Sequence, residues 1–459
     1  MAEIKEERRL GLLQATAINM TDMVGIGPFI TLPMVIHILN GPYFLYAWLA
    51  GAALSMVDAM IWSELGTAFP KAGGSYNFLK ETYGKNGMGR LMSFLFVWQT
   101  MIQAPLVIAS AAIGFAGYFS YLVPLTTLQS KLISGSVVIC IVILLFRKIE
   151  AIGKISVLLW GAVLFTMLWI IGGGITHGNF LAPVKHINDG LTFNMTFVAA
   201  LGFASVKSVY SYLGYYNICH LGGEIINPSR NIPRSMFLSI AGIALLYLLM
   251  NISVASVIPW QVAKDSEFVI SLFMQQLAGP KAATVITCLI LLVSFASVFS
   301  ATLGYSRIPY AAAADGAFFK VFARLHPTGH FPYVSLLVLG TIAFVFSLLF
   351  KLSDVISAIL SMRILIQFIG QAVGLYLLRK QKQTIFPYKM PFFPLPIVLA
   401  IIMWIGILIS TGFKMVAGGL TAIIIGIIVY FIKARLNQEW PFVPSSLLEP
   451  IRSKVSSEQ

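Results

Sequence analysis

Six ionisable side chains fall inside long apolar runs of this 459-residue chain: Asp22, Asp58, Glu64, Lys154, Lys207 and Arg363. A charge held in an apolar stretch is expensive unless it meets a partner, water or a solute, so each is a candidate for handling an ion, a proton or a substrate. A second kind of candidate is backbone rather than side chain. Gly25, Ile26, Gly27 and Pro28 interrupt the first apolar run, and YSYLGYY, which contains Ser211, Tyr212, Leu213, Gly214 and Tyr215, interrupts the sixth. Residues for bond-making chemistry are missing: no GxSxG, GxxxxGK[ST], HExxH or CxxC pattern occurs, and the six histidines fall mostly in loops without ligand spacing. Neither an enzyme, a metal site, a cofactor nor a nucleotide-driven pump is expected.

The elements that must position these groups are set by the bilayer. With 58% of residues hydrophobic and 10% charged, the chain lacks the polar surface of a water-soluble protein and reads as a polytopic membrane protein. About 20 apolar residues cross the hydrocarbon core as a helix. Twelve runs meet this need, at 11–38, 42–68, 89–122, 131–147, 152–175, 193–222, 236–258, 282–306, 332–350, 354–378, 391–411 and 416–433. With the N-terminus inside, 22 of the 31 Lys and Arg lie in inside segments and six outside, which favours twelve spans with both termini cytoplasmic. The net charge of +14 then reflects topology and attraction to anionic lipid, and no soluble basic domain remains for nucleic acid. The charged N-terminus leads into an apolar run without a small-residue cleavage site, so the first run is expected to stay as a helix. Cys140, Cys219 and Cys288 all lie in apolar runs and read as packing residues rather than a disulfide framework.

Non-helical backbone survives at mid-membrane depth only where it is buried in protein or lines a cavity. Gly25, Gly27 and Pro28 therefore have two readings: a broken helix beside a polar cavity, or close helix packing with a proline kink. The sixth run favours the first. It is too long for one simple span and is interrupted by SVKS, YSYLGYY and Gly222-Gly223. Runs one and six stand five apart, the spacing of an inverted repeat whose halves are residues 11–175 and 193–378, with two further helices at 391–433 and tails at 1–10 and 434–459. No residue-level identity between the halves accompanies that spacing.

Four segments carry a resemblance: GIGPF (25–29), SELGTAFPKAGGSYNFLKETYG (63–84), YSYLGYYNICHLGGEIINPSRNIPRSM (210–236) and SRIPYAAAADGAFFKVFARLHPTGHFPYVSLL (306–337). In that order they make the chain similar to the amino acid-polyamine-organocation transporter superfamily, nearest in pattern to its L-amino-acid transporter-like branch. The resemblance implies an all-α membrane protein of twelve transmembrane helices in the LeuT-type fold, with a 5+5 inverted repeat plus two extra helices, and helices 1 and 6 broken. It implies a plasma-membrane carrier of amino acids working by alternating access, either an exchanger or a proton-linked permease, without sodium.

In such a fold a half-helix N-terminus holds a carboxylate and a half-helix C-terminus an ammonium. The resemblance thus places the substrate carboxylate on the backbone of Gly25, Ile26 and Gly27, and the amine near the carbonyls of Ser211, Tyr212, Leu213 and Gly214. Tyr212 and Tyr215 either gate or line the side-chain pocket, or pack between helices. Lys154 either snorkels to the interface or, as the resemblance implies, takes the place of sodium and links helices 1 and 8, with Ser297 as its partner. Asp22 could attract a substrate ammonium, carry a proton, pair with Lys154 or make an ordinary hydrogen bond. It departs from the small or apolar residue of many relatives, which keeps a polyamine or other organic cation open as the alternative cargo. A channel or non-transporting receptor is the remaining alternative. Glu64 is expected to be structural, while Glu224, Arg230 and Arg234 belong to an inner gate network or simply to the basic loop. Lys207 and Arg363 have no evident partner in the sequence, and an accessory subunit is not legible there.

Overall fold

The structure, a computed structural model, describes residue 8 and residues 10–442 apart from 72, 86, 147–148, 328, 330 and 383, with backbone alone for 149–160. Its helices are α1 (Leu12–Met23), α2 (Gly27–Leu39), α3 (Leu45–Ala68), α4 (Ser75–Thr82), α5 (Met88–Leu122), α6 (Thr127–Leu145), α7 (Ile149–His177), α8 (Ala182–Lys185), α9 (Met195–Tyr212), α10 (Pro228–Ala255), α11 (Trp260–Ala263), α12 (Val269–Ala314), α13 (Tyr333–Leu349), α14 (Leu352–Arg363), α15 (Gly370–Gln381), α16 (Leu395–Ser410) and α17 (Phe413–Leu436). No strand occurs among the described residues beyond an isolated bridge between Leu10 and Ile225. Among the described residues seven helical stretches are long and apolar enough to cross a membrane, and the bent α1–α2 pair makes an eighth if taken as one span. The chain is a multi-pass, all-helical membrane protein.

The first run breaks where its sequence is weakest. Val24, at φ −87° and ψ 85°, leaves the helical region and ends α1. Pro28 then sits in the first turn of α2, where its missing N–H has no helical acceptor to lose, and the two halves meet at 51°. The sixth run starts cleanly, the Asn194 side chain accepting from Phe197 N at 2.8 Å. It stops at Tyr212, and the residues beyond form only short 3₁₀ turns at Asn217–His220 and Gly222–Glu224. Gly214, Gly222 and Gly223 supply little helix propensity there, so the expected span to 222 is only partly helical.

Other boundaries also move. The eighth run, expected at 282–306, belongs to a helix of 46 residues that bends at Gly279. The seventh begins at Pro228 rather than 236, since proline fits a helix start and polar residues extend the helix beyond the apolar stretch. Two groups of helices pack together: α5, α6, α7, α12 and α13 on one side, and α1, α2, α3, α9 and α10 on the other. In lipid such packing rests on close approach rather than on the hydrophobic effect. At Gly51, for example, an added Cβ would stand 2.9 Å from the Tyr212 ring. Of the cysteines only Cys219 is buried; Cys140 and Cys288 are exposed, so the packing role expected for all three holds for one. Glu64 is the structural group anticipated: fully buried, it accepts from Arg379, with one contact at 2.8 Å, and from Met390 N at 2.9 Å.

Candidate functional site

The two breaks meet. Gly214, at φ +119°, lies so close to the end of α1 that an added Cβ would be 3.0 Å from the carbonyl carbon of Asp22 and 3.1 Å from Met23 N. Tyr247 of α10 bridges them, its hydroxyl donating to Met23 O at 2.7 Å and to Ser211 O at 3.0 Å. Those carbonyls terminate α1 and α9, so one phenol ties together the electronegative ends of two half-helices. Thr31 of α2 and Ser211 share a hydrogen bond of 3.0 Å. Asn19 accepts from Ile218 N at 2.9 Å, joining α1 to the turn after the second break.

On the opposite side of the first break stands α12. Ile26 N donates to Ser297 Oγ at 3.0 Å, and a Cβ on Gly25 would be 2.7 Å from that oxygen. Ser297 therefore takes the Ile26 N–H of the first break directly, while the Gly25 N–H donates to Met23 O at 3.1 Å. Its expected partner, Lys154, has its side chain outside the described residues. A Cβ on Gly27 would be 3.2 Å from Ser211 Oγ and 3.5 Å from the Tyr210 ring, so this glycine is where α2 abuts the end of α9.

Asp22, whose backbone lies against Gly214 at the end of α1, is exposed. Its charge, like that of Arg363, acts on the Tyr216 hydroxyl. Arg363 is 3% exposed and donates to the hydroxyls of Tyr216 and Tyr305, its guanidinium lying 5.8 Å and 5.7 Å from their ring centroids. A cationic group is thus held on two phenols, one from the second break and one from α12.

The two tyrosines singled out from sequence are both buried. Tyr212 is fully buried, its ring packing edge-on with those of Trp48 and Tyr247, 6.3 Å and 5.3 Å away. Tyr215 donates to Asp58 Oδ2 at 2.5 Å. Tyr212 thus packs among rings, whereas Tyr215 is engaged through its hydroxyl. Sequence reasoning missed Tyr210, which shares a hydrogen bond of 2.8 Å with Ser110 of α5, as well as Tyr216 and Tyr247. The YSYLGYY stretch signalled an aromatic break but not which ring faces inward. Lys207 also gains partners: its ammonium donates to Ser353 O at 2.7 Å and Ser357 Oγ at 3.0 Å, beside a cavity of about 530 Å³ with Asp354 on its lining. Among the described residues no cluster of His, Cys, Asp and Glu could hold a metal.

This arrangement offers N–H groups at one break, carbonyls at both and one accessible carboxylate, the donor and acceptor set for a small zwitterion or amine. The sequence profile described as amino acid permease matches residues 10–438. The chain is 24% identical over 399 residues to the human cystine/glutamate transporter, covering 85% of this chain and 78% of that one. It is 22% identical over 456 residues to the branched-chain amino acid permease BcaP of Bacillus subtilis, covering 94% of each. With the serine/threonine exchanger SteT of the same organism it shares 25% identity over 405 residues, 86% of this chain and 89% of the other.

Proposed function

This chain belongs to the amino acid permease family, and from that premise we propose that it is a secondary carrier that moves amino acids through the crossing of its two broken helices. It is a transporter of amino acids and not an enzyme. The observation that carries the mechanism is the contact of the breaks, with Gly214 against the Asp22–Met23 backbone and Tyr247 across both helix ends. An α-amino acid carries both charges on one carbon, and oriented N–H and C=O groups at helix ends hold such charges without a counter-ion. The Gly25–Gly27 backbone takes the carboxylate and the Ser211–Gly214 carbonyls, with Asp22, take the amine. A carboxylate reaching Ile26 N must share that donor with Ser297, so substrate binding alters the link between the first break and α12.

Twelve spans follow when the shorter apolar helices within α7, α13 and α16 and the interrupted α9 join the eight. The packing supports a 5+5 repeat, because spans five apart are partners: α2 with α9, α3 with α10, α5 with α12 and α6 with α13. The serine/threonine exchanger among the relatives supports exchange as the mode of transport, the resemblance of the sequence supports a sodium-independent carrier at the plasma membrane, and the bias of Lys and Arg between loops supports cytoplasmic termini. The exposed carboxyl group of Asp22 favours a second reading, in which the cargo is a polyamine or other organic cation. Counterflow in proteoliposomes separates them. Vesicles loaded with the twenty L-amino acids should accumulate labelled members of that set and not labelled putrescine. Counterflow of putrescine alone would overturn the amino-acid site, and none of either would overturn the carrier.

A further inference from the structure

Asp58 lies in the middle of α3, 1% exposed and ten residues before the helix ends at Ala68. Its Oδ2 accepts from Tyr215 at 2.5 Å and its Oδ1 from Trp404 Nε1 of α16 at 3.0 Å, with the Trp62 indole also facing it. Among the described residues no Lys, Arg or His comes within ion-pair distance, so nothing cancels a negative charge there. A carboxylate at the centre of a span is costly, and neutral donors offset only part of that cost. The pocket is therefore one in which a carboxyl group gains from binding a proton.

What the proton would change is also visible. As a carboxylate, Asp58 accepts the Tyr215 hydrogen. As an acid, formed by a new O–H bond at Oδ2, it donates to the Tyr215 oxygen instead, and the phenolic hydrogen must turn away. Tyr215 follows Gly214 directly, so the reversal acts on the backbone that touches Asp22 and Met23. The titratable neighbours are few: Tyr215 and Tyr216 from the break, Cys219 in the turn beyond it, and Arg363 of α14, whose charge acts on Tyr215. Glu64, on the same helix, is committed to Arg379.

We propose that Asp58 is a proton-binding site that couples proton movement to amino-acid transport by reversing its hydrogen bond with Tyr215 at the second break. This rests on the carrier function proposed above. One proton is taken from the more acidic side when the site is open there and released to the other side with the amino acid, so charge and atoms balance across the cycle. Trp404 keeps its acceptor in both states.

The test uses the full-length protein in proteoliposomes enclosing a pH-sensitive dye. An equimolar mixture of the twenty L-amino acids is added outside at matched pH, and uptake is measured by mass spectrometry alongside lumen acidification. The wild type should acidify in proportion to uptake. In Asp58→Asn the ratio of protons to amino acid should fall to background, whereas Trp404→Phe, which leaves the acid in place, should keep it. Uptake without acidification in the wild type overturns the inference and leaves the carrier standing; no uptake overturns both. An unchanged ratio in Asp58→Asn also overturns it. Should that variant not fold, infrared difference spectra of the wild type between alkaline and acid media give a second measure. They should show a carboxylic-acid C=O band that shifts in Tyr215→Phe, and a spectrum without such a band refutes the proton site.

Discussion

Replacing Gly214 with alanine tests the crossing most directly. The residue holds φ +119°, a conformation that strains an L-residue by ~1–3 kcal/mol. Its new Cβ would also press on the carbonyl carbon of Asp22 at 3.0 Å and on Met23 N at 3.1 Å, closer than ordinary van der Waals contact. Both are backbone atoms, so neither can swing aside like a side chain. Relief must come from moving the two breaks apart, which dismantles the Tyr247 bridge. If about 2 kcal/mol is relieved this way, the binding-competent crossing becomes ~30-fold less populated and apparent affinity falls by the same factor. Thermal-shift titration of detergent-purified protein reads this, because a ligand that binds only the folded form raises its stability. Gly190→Ala is the matched control: its φ is +73° but nothing lies within 4 Å of the added Cβ, so it should strain the chain locally and leave affinity alone. Affinity in Gly214→Ala within threefold of wild type would show that the contact between the breaks does not shape the site.

Gly25→Ala should impair transport through its 2.7 Å clash with Ser297 Oγ, and adding Ser297→Ala should recover part of the loss. A double-mutant cycle with no coupling between them would deny that α12 reads the first break. Glu64→Gln keeps an acceptor for Met390 N but leaves the mostly buried Arg379 without its counter-charge, and about 3–5 kcal/mol of stability should go with it; an unchanged melting temperature would contradict that. Outside the spans, Asp315 loses solvation through partial burial, yet hydrogen bonds from Lys80 at 2.6 Å and Tyr76 at 2.5 Å more than reverse this and hold its carboxyl below the usual range. A depressed pKa stabilises above the unfolded value of about 3.9 and is lost as pH falls through the folded one. Protection of the α4 amides, taken relative to the intrinsic exchange rate at each pH, should therefore fall below pH ~4 in the wild type, while Asp315→Asn should already be less protected at neutral pH and show no such step. Lys154→Ala should slow exchange without creating a need for sodium, and normal exchange in that variant would remove its assigned role.

The membrane class, the family and the place of the first break were all legible in the sequence. Each rests on local features: apolar runs long enough to span, a charge bias between loops, and glycine and proline where a helix needs neither. Glu64 could likewise be read as structural, because a buried charge demands a partner even when that partner is unnamed. Arg379, 315 positions away, had to be found by folding. The inner ends of the site were not legible for a related reason. Helical periodicity predicts which face a side chain takes only while the helix lasts, and after Tyr212 the chain turns through ψ 139° at Leu213 and φ +119° at Gly214. Beyond that point the register of Tyr215 and Tyr216 depends on two torsions that no spacing rule contains. Tertiary packing alone therefore decided that Tyr215 meets Asp58 and Tyr216 meets Arg363. It also brought Tyr247, in a helix with no break of its own, to the two carbonyls where the half-helices end.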